Sequence, residues 1–113
     1  MPVLKSLAGE FHHHLAATPG ISLVLFTGPA CGACKRLKQV VHERHDMFAD
    51  IHLFEVDAER DMALTREFGV FHLPAMFLFR DGDYHCELHS EAAAERLRAA
   101  IDAALARPAE EAP

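Results

Sequence analysis

An α/β fold, with a mixed sheet flanked by helices on both faces, is predicted by three features of this chain. Residues 21–26 and 75–79 are short, nearly all-apolar runs, the pattern of strands buried on both faces. Around them, apolar residues recur at three- and four-residue spacing, as on amphipathic helices. Asp81-Gly82, set between two strand-like segments, is a tight-turn dipeptide, so part of the sheet must be antiparallel.

The elements follow in order. Leu4, Leu7, Phe11 and Leu15 predict a leading helix over 3–17, stopped by Thr18-Pro19-Gly20. Residues 21–26 (Ile-Ser-Leu-Val-Leu-Phe) form the first, central strand, and Thr27-Gly28-Pro29-Ala30 a turn. From Cys31 a helix runs to about Ala49, with Leu37, Val40, Val41 and Phe48 on one stripe. Residues 51–56 alternate as a second strand, and Asp57 offers an N-cap for a helix to Phe68, ended by Gly69. Residues 75–79 and 84–88 make the hairpin. Ser90 is expected to cap a last helix carrying Leu97, Ile101 and Leu105. The order is αβαβαββα, with four strands arranged second-first-third-fourth. The first two are parallel because a helix crosses between them. One domain is expected over 1–107, with a disordered tail at 108–113.

Composition narrows the function classes. The chain has 113 residues and 12.5 kDa, with 11 Lys+Arg against 17 Asp+Glu. At this size one domain with a real core is expected, without disulfide staples. An acidic chain with no basic block is a poor binder of nucleic acid or anionic membranes. No apolar run approaches the roughly 20 residues that cross a bilayer. Because no charged region leads into an apolar one at the start, a cytoplasmic protein is expected.

Three cysteines, Cys31, Cys34 and Cys86, are too few for a disulfide framework. Cys31-Gly32-Ala33-Cys34 falls where a buried strand gives way to a helix. There, unpaired backbone N–H groups and the positive end of the helix dipole favour an anion, so Cys31 should ionise below the usual thiol range. Cys34, one turn on, can reach back to it. Cys31 is therefore the candidate nucleophile on a disulfide, and Cys34 the candidate resolving thiol. Lys35 and Arg36 add positive charge nearby.

A zinc or iron–sulfur site on the same pair is the weaker alternative. A structural zinc wants four ligands, there is no second Cys-x-x-Cys, and His42 and His45 lie more than a helical turn beyond Cys34. Among the nine histidines, His12-His13-His14 point in different directions on a helix and cannot share an ion. His85 and Cys86, adjacent on a strand, are expected to face opposite sides, and Cys86 reads as core packing. His72 sits on the loop that should border the cysteine pair, where an exposed loop histidine is expected.

Two stretches together resemble the thioredoxin family. They are Phe26-Thr27-Gly28-Pro29-Ala30-Cys31-Gly32-Ala33-Cys34-Lys35 and Phe68-Gly69-Val70-Phe71-His72-Leu73-Pro74-Ala75-Met76-Phe77-Leu78-Phe79-Arg80-Asp81-Gly82. The resemblance spans about residues 21–106 and implies a thioredoxin-like fold. By it, Pro74 is cis and faces the cysteines across a substrate groove, and Leu73 offers backbone groups to an extended substrate. Pro29 and Ala30, with Phe71 and Leu73, would form an apolar rim that docks the partner.

The implied activity is thiol–disulfide exchange on protein disulfides, with no organic cofactor. Recharging would come from a flavoprotein disulfide reductase or another dithiol. The chain also departs from the family. Ala30 stands where a tryptophan is usual, Ala33 where a proline is usual, and Leu25 at the place of a buried acid credited with deprotonating the second cysteine. The usual first strand is expected to be missing. These departures motivate an alternative reading, a partner-binding module with little turnover.

Overall fold

The computed structural model describes the backbone of Lys5 and Ser6 and all of residues 10–113. Seven residues of β2 (Ile21–Thr27), six of them buried, run through the middle of one sheet. On one side β2 pairs in parallel with β3 (Ile51–Asp57), and on the other antiparallel with β4 (Ala75–Arg80). The Asp81-Gly82 turn returns the chain as β5 (Asp83–Leu88). These four strands lie in the expected order. A short β1 (Lys5–Ser6) adds to the outer edge of β3, giving β1-β3-β2-β4-β5.

That edge strand corrects the start of the chain. Among the described residues the predicted helix over 3–17 is realised as α1 (Phe11–Ala16), its residues 3–4 and 7–9 lie outside the described residues, and the first strand expected to be missing is present. Lys5 and Ser6 are strand rather than helix because they find partners on the open edge of β3, at Phe54 and Glu55. Glu10, held in the left-handed region at φ 42°, then turns the chain into α1.

The other helices differ at their ends. α2 (Gly32–Glu43) stops at Arg44, and a 3-10 turn at His45–Phe48 drives Phe48 into the core. Asp57 does not cap α3 (Met62–Glu67). Its carboxylate accepts the N–H groups of Glu59 and Arg60 at 2.9 and 3.2 Å, so the helix waits for Asp61, whose Oδ1 accepts Leu64 N–H. Nor does Ser90 cap α4 (Ala94–Leu105): its hydroxyl donates to Glu91 O, and Ala93 takes the cap position without a side-chain bond. Residues 108–113 form no helix or strand, and Glu110 N–H donates to His85 O at 2.7 Å.

Alternation along β2 divides the core in two. Leu23 and Leu25 pack with Leu37 and Val41 of α2 and Leu97 and Ile101 of α4. Val24 and Phe26 face α1 and α3 in an aromatic cluster, where Phe68 meets Phe77 at 5.0 Å and Phe11 at 5.4 Å, both edge to face. Such pairs add about 0.5–1.5 kcal/mol each beyond their buried area. Ser22 is buried in the same strand, with a hydroxyl that finds no partner.

At the far end of the hairpin the turn is clasped to the rest of the chain. Asp81 N–H donates to Gly20 O at 2.8 Å, and Gly20 N–H donates to Asp81 Oδ1 at 2.7 Å. Gly82, at φ 85°, lies so close to α1 that a Cβ there would stand 2.7 Å from Leu15 O. Among the described residues no helix is long and apolar enough to cross a membrane.

Candidate active site

The chain leaves β2 at Thr27 and turns sharply, with Cys31 N–H donating to Gly28 O at 3.3 Å. Cys31 itself caps α2. Its backbone is extended (φ −102°, ψ 106°), and its Sγ accepts the N–H of Cys34 at 3.1 Å. A sulfur in that position is a better acceptor as a thiolate, and the helix start favours the charge. Cys31 and Cys34 are joined as a disulfide, their Cα atoms 5.2 Å apart. Burial separates their roles: Cys31 is half-buried, whereas Cys34 is only 1% exposed. A substrate sulfur can reach the first and not the second.

The Leu73–Pro74 peptide, which opens β4, is cis. Gly28 is where this segment and the cysteine turn meet, since a Cβ on Gly28 would stand 3.0 Å from Leu73 Cδ1. Pro74 lines two cavities. One, about 300 Å³, lies between the α2 start (Ala33, Arg36) and the loop after β5 (His89, Ser90, Ala92). The other, about 240 Å³, is lined by Val70, Phe71, His72, Glu87 and His89. Phe71 is 91% exposed, and the turn residues Pro29 and Ala30 are exposed beside Cys31. The structure thus brings Leu73 and Pro74 to the cysteine turn. Pro29 and Ala30 remain on its outer surface, away from both cavities.

Two groups at this end of the sheet went unnoticed in the sequence, and a third, Arg36, was read only as positive charge near the cysteines. Glu55 lies on β3 opposite Leu25 in register, and its Oε2 accepts from Thr27 Oγ1 at 2.6 Å and Lys38 Nζ at 2.8 Å. A carboxylate therefore stands on the strand next to the one expected to carry it. The signal was available, since Glu55 is the one acid among apolar neighbours in 51–56. The His89–Ala92 loop, and its meeting with Arg36, were missed because that approach depends on how the hairpin is registered, and the register contains a bulge.

The bulge also corrects a side-chain assignment. Leu78 pairs with Cys86 but Phe79 with Tyr84, which leaves His85 as the extra residue. His85 and Cys86 are both buried, and both meet α4. His85 Nε2–H donates to Ala104 O at 2.7 Å, while Cys86 packs with Leu97 and Ile101. The expected opposition of faces is lost. Burial pushes the Cys86 thiol up, reinforced by the charge of Glu110. Among the described residues, no three His, Cys, Asp or Glu side chains converge as metal ligands would.

A family model described as thioredoxin matches residues 2–103. An NADPH-dependent thioredoxin reductase 3 from Arabidopsis thaliana is 32% identical over 65 residues, covering 57% of this chain and 12% of that protein. A probable protein disulfide-isomerase ER-60 from Schistosoma mansoni is 33% identical over 85 residues, covering 72% of this chain and 17% of that protein. The chain thus spans under a fifth of each of these two relatives. In fold it is similar to the oxidised thioredoxin of Plasmodium falciparum, with a TM-score of 0.73 at 19% identity. That likeness covers 89% of this chain and 97% of the other.

Proposed function

The chain belongs to the thioredoxin family, and we propose that it is a thiol–disulfide oxidoreductase acting on protein disulfides in the cytoplasm. The observation that carries this reading is the asymmetric pair at the start of α2, with Cys31 accessible and Cys34 buried behind it.

In the reduced protein the Cys31 thiolate attacks one sulfur of a substrate disulfide. A bond forms between Cys31 Sγ and that sulfur, and the other substrate sulfur leaves as a thiolate and takes a proton. Cys34 then loses its proton and attacks Cys31 Sγ. The Cys31–Cys34 disulfide forms, and the second substrate sulfur leaves as a thiol. Two electrons pass from the protein to the substrate. Leu73 supplies backbone hydrogen-bonding groups for an extended substrate segment, Pro74 borders it, and Pro29 and Ala30 give the surface on which it lands.

The reaction needs no organic cofactor on this chain. Recharging falls to a flavoprotein disulfide reductase or another dithiol, and the kinship with a protein named as an NADPH-dependent thioredoxin reductase supports that assignment.

The test is reduction of a protein disulfide with dithiothreitol as electron source. Wild type should turn over, and Cys31→Ser should fall to the background rate. Equal rates for the two, or no reduction by either, would overturn the reading.

A further inference from the structure

The larger cavity beside Pro74 has an uneven charge. Its floor and walls are apolar at Leu37, Met76 and Leu88, and among its described lining residues the only titratable side chains are Arg36 and His89. Arg36 has no carboxylate partner among the described residues, and neither does Lys35 beside it. Lys38, Arg44, Arg60, Arg96 and Arg98 are each within ion-pair distance of one, whereas Arg66, Arg80 and Arg107, like Arg36, are not among the described residues; what sets Arg36 apart is that it lines this cavity. In a chain with 17 acids to 11 bases, an unpaired guanidinium at the mouth of a cavity is a local reversal of sign. The N-terminal end of α2 adds to it.

The smaller cavity, on the other side of Pro74, is different. It holds Glu87, with His89 Nε2 3.9 Å from its carboxylate, and the exposed ring of Phe71. A segment lying across Pro74 therefore meets the Arg36 guanidinium on one side and the Glu87 carboxylate, with His72, on the other.

We infer that Arg36 is a specificity-determining residue: it receives an acidic side chain of the disulfide-bearing substrate segment in the cavity between Ala33 and Ala92. This deepens the oxidoreductase reading and rests on it. The cavity abuts the cysteine turn through Ala33, so the acidic residue lies within a few positions of the attacked cysteine, at about 3.3 Å of extended chain per residue. Arg36 suits the task because its planar fork matches a carboxylate with two donors. His89 and Ser90 offer further hydrogen-bonding groups across the cavity.

The experiment uses disulfide-bonded peptides that differ at a single residue, Glu, Gln or Lys, placed in turn at each position flanking the cysteine. The readout is the ratio of kcat/KM values within each set, with dithiothreitol recharging the protein. A general effect of Arg36 on the Cys31 thiolate acts on every peptide alike and cancels in the ratio.

At one position Glu should exceed Gln by about fivefold, the size of an exposed charged contact worth about 1 kcal/mol, and Lys should fall below Gln. In Arg36→Gln the Glu-to-Gln ratio should collapse to near one, and in Arg36→Lys it should partly return. Half-molar salt should flatten it in wild type. Equal kcat/KM for all three residues at every position, or a ratio that survives in Arg36→Gln, overturns the inference while Cys31-dependent turnover of the Gln peptides leaves the oxidoreductase reading standing. If wild type reduces none of the peptides, nor a protein disulfide, both fall.

Discussion

The junction of β2 with α2 and the middle of β5 each hold a cysteine, and the two could hardly be treated more differently. At the junction Cys31 is half-buried, its sulfur accepts a backbone N–H, and a second thiol lies one helical turn away. In β5, Cys86 is 3% exposed among aliphatic side chains and its thiol is pushed up by burial. The comparison teaches that reactivity belongs to the place in the backbone. A helix start supplies positive potential and access; a strand interior supplies neither.

The largest effect that would sharpen this contrast is on turnover. Cys34→Ser should stop multiple turnover and leave the substrate attached to Cys31, visible as a mixed disulfide by mass spectrometry. The same change at Cys86 should act on stability instead. Cys86→Ser buries a hydroxyl without a partner and should cost about 2 kcal/mol in urea unfolding, with activity per folded molecule retained. Loss of activity without loss of stability would break the comparison.

A third expectation concerns alkaline pH. The Cys86 thiol is raised in the folded state, so the folded protein holds its proton where the unfolded chain has lost it. Its contribution is full below the unfolded thiol value of about 8.5 and is lost as pH climbs through the folded value. Tyr84, pushed up to about 12 chiefly by burial, has the same sign one step higher in pH. Stability measured from pH 8 upward should therefore fall, and in Cys86→Ala the first part of that fall should disappear. The smallest change is in β2, where Ser22→Ala removes the buried unpartnered hydroxyl and should raise stability by about 1 kcal/mol.

The junction was easier to read than its surroundings. Strand, turn, cysteine pair and helix are written in consecutive residues, so local rules of burial and helix capping find them. Features decided by distant partners escaped. Lys5 and Ser6 become a strand because β3 has an open edge, which helical spacing cannot register. Asp57 and Asp61 both carry capping chemistry, and the choice between them depends on where β3 releases the chain. The bulge at His85 shifts the hairpin by one residue, so counting outward from Asp81-Gly82 misplaces what faces α4. Glu55 is recognisable alone, but its partners Thr27 and Lys38 come from two other elements.

The clasped hairpin turn bears on how the protein can be taken apart or labelled. Loop tips are ordinarily the sites that accept inserted peptides, new termini or bulky dyes. Here Gly82 is pressed against the backbone of α1 and Asp81 is tied to Gly20 through both its N–H and its carboxylate. An insertion at this tip would pry the leading helix from the sheet, at the opposite end of β4 from Pro74. The exposed stretch after Leu105 is the tolerant place for a tag, provided the Glu110 contact to His85 is left intact.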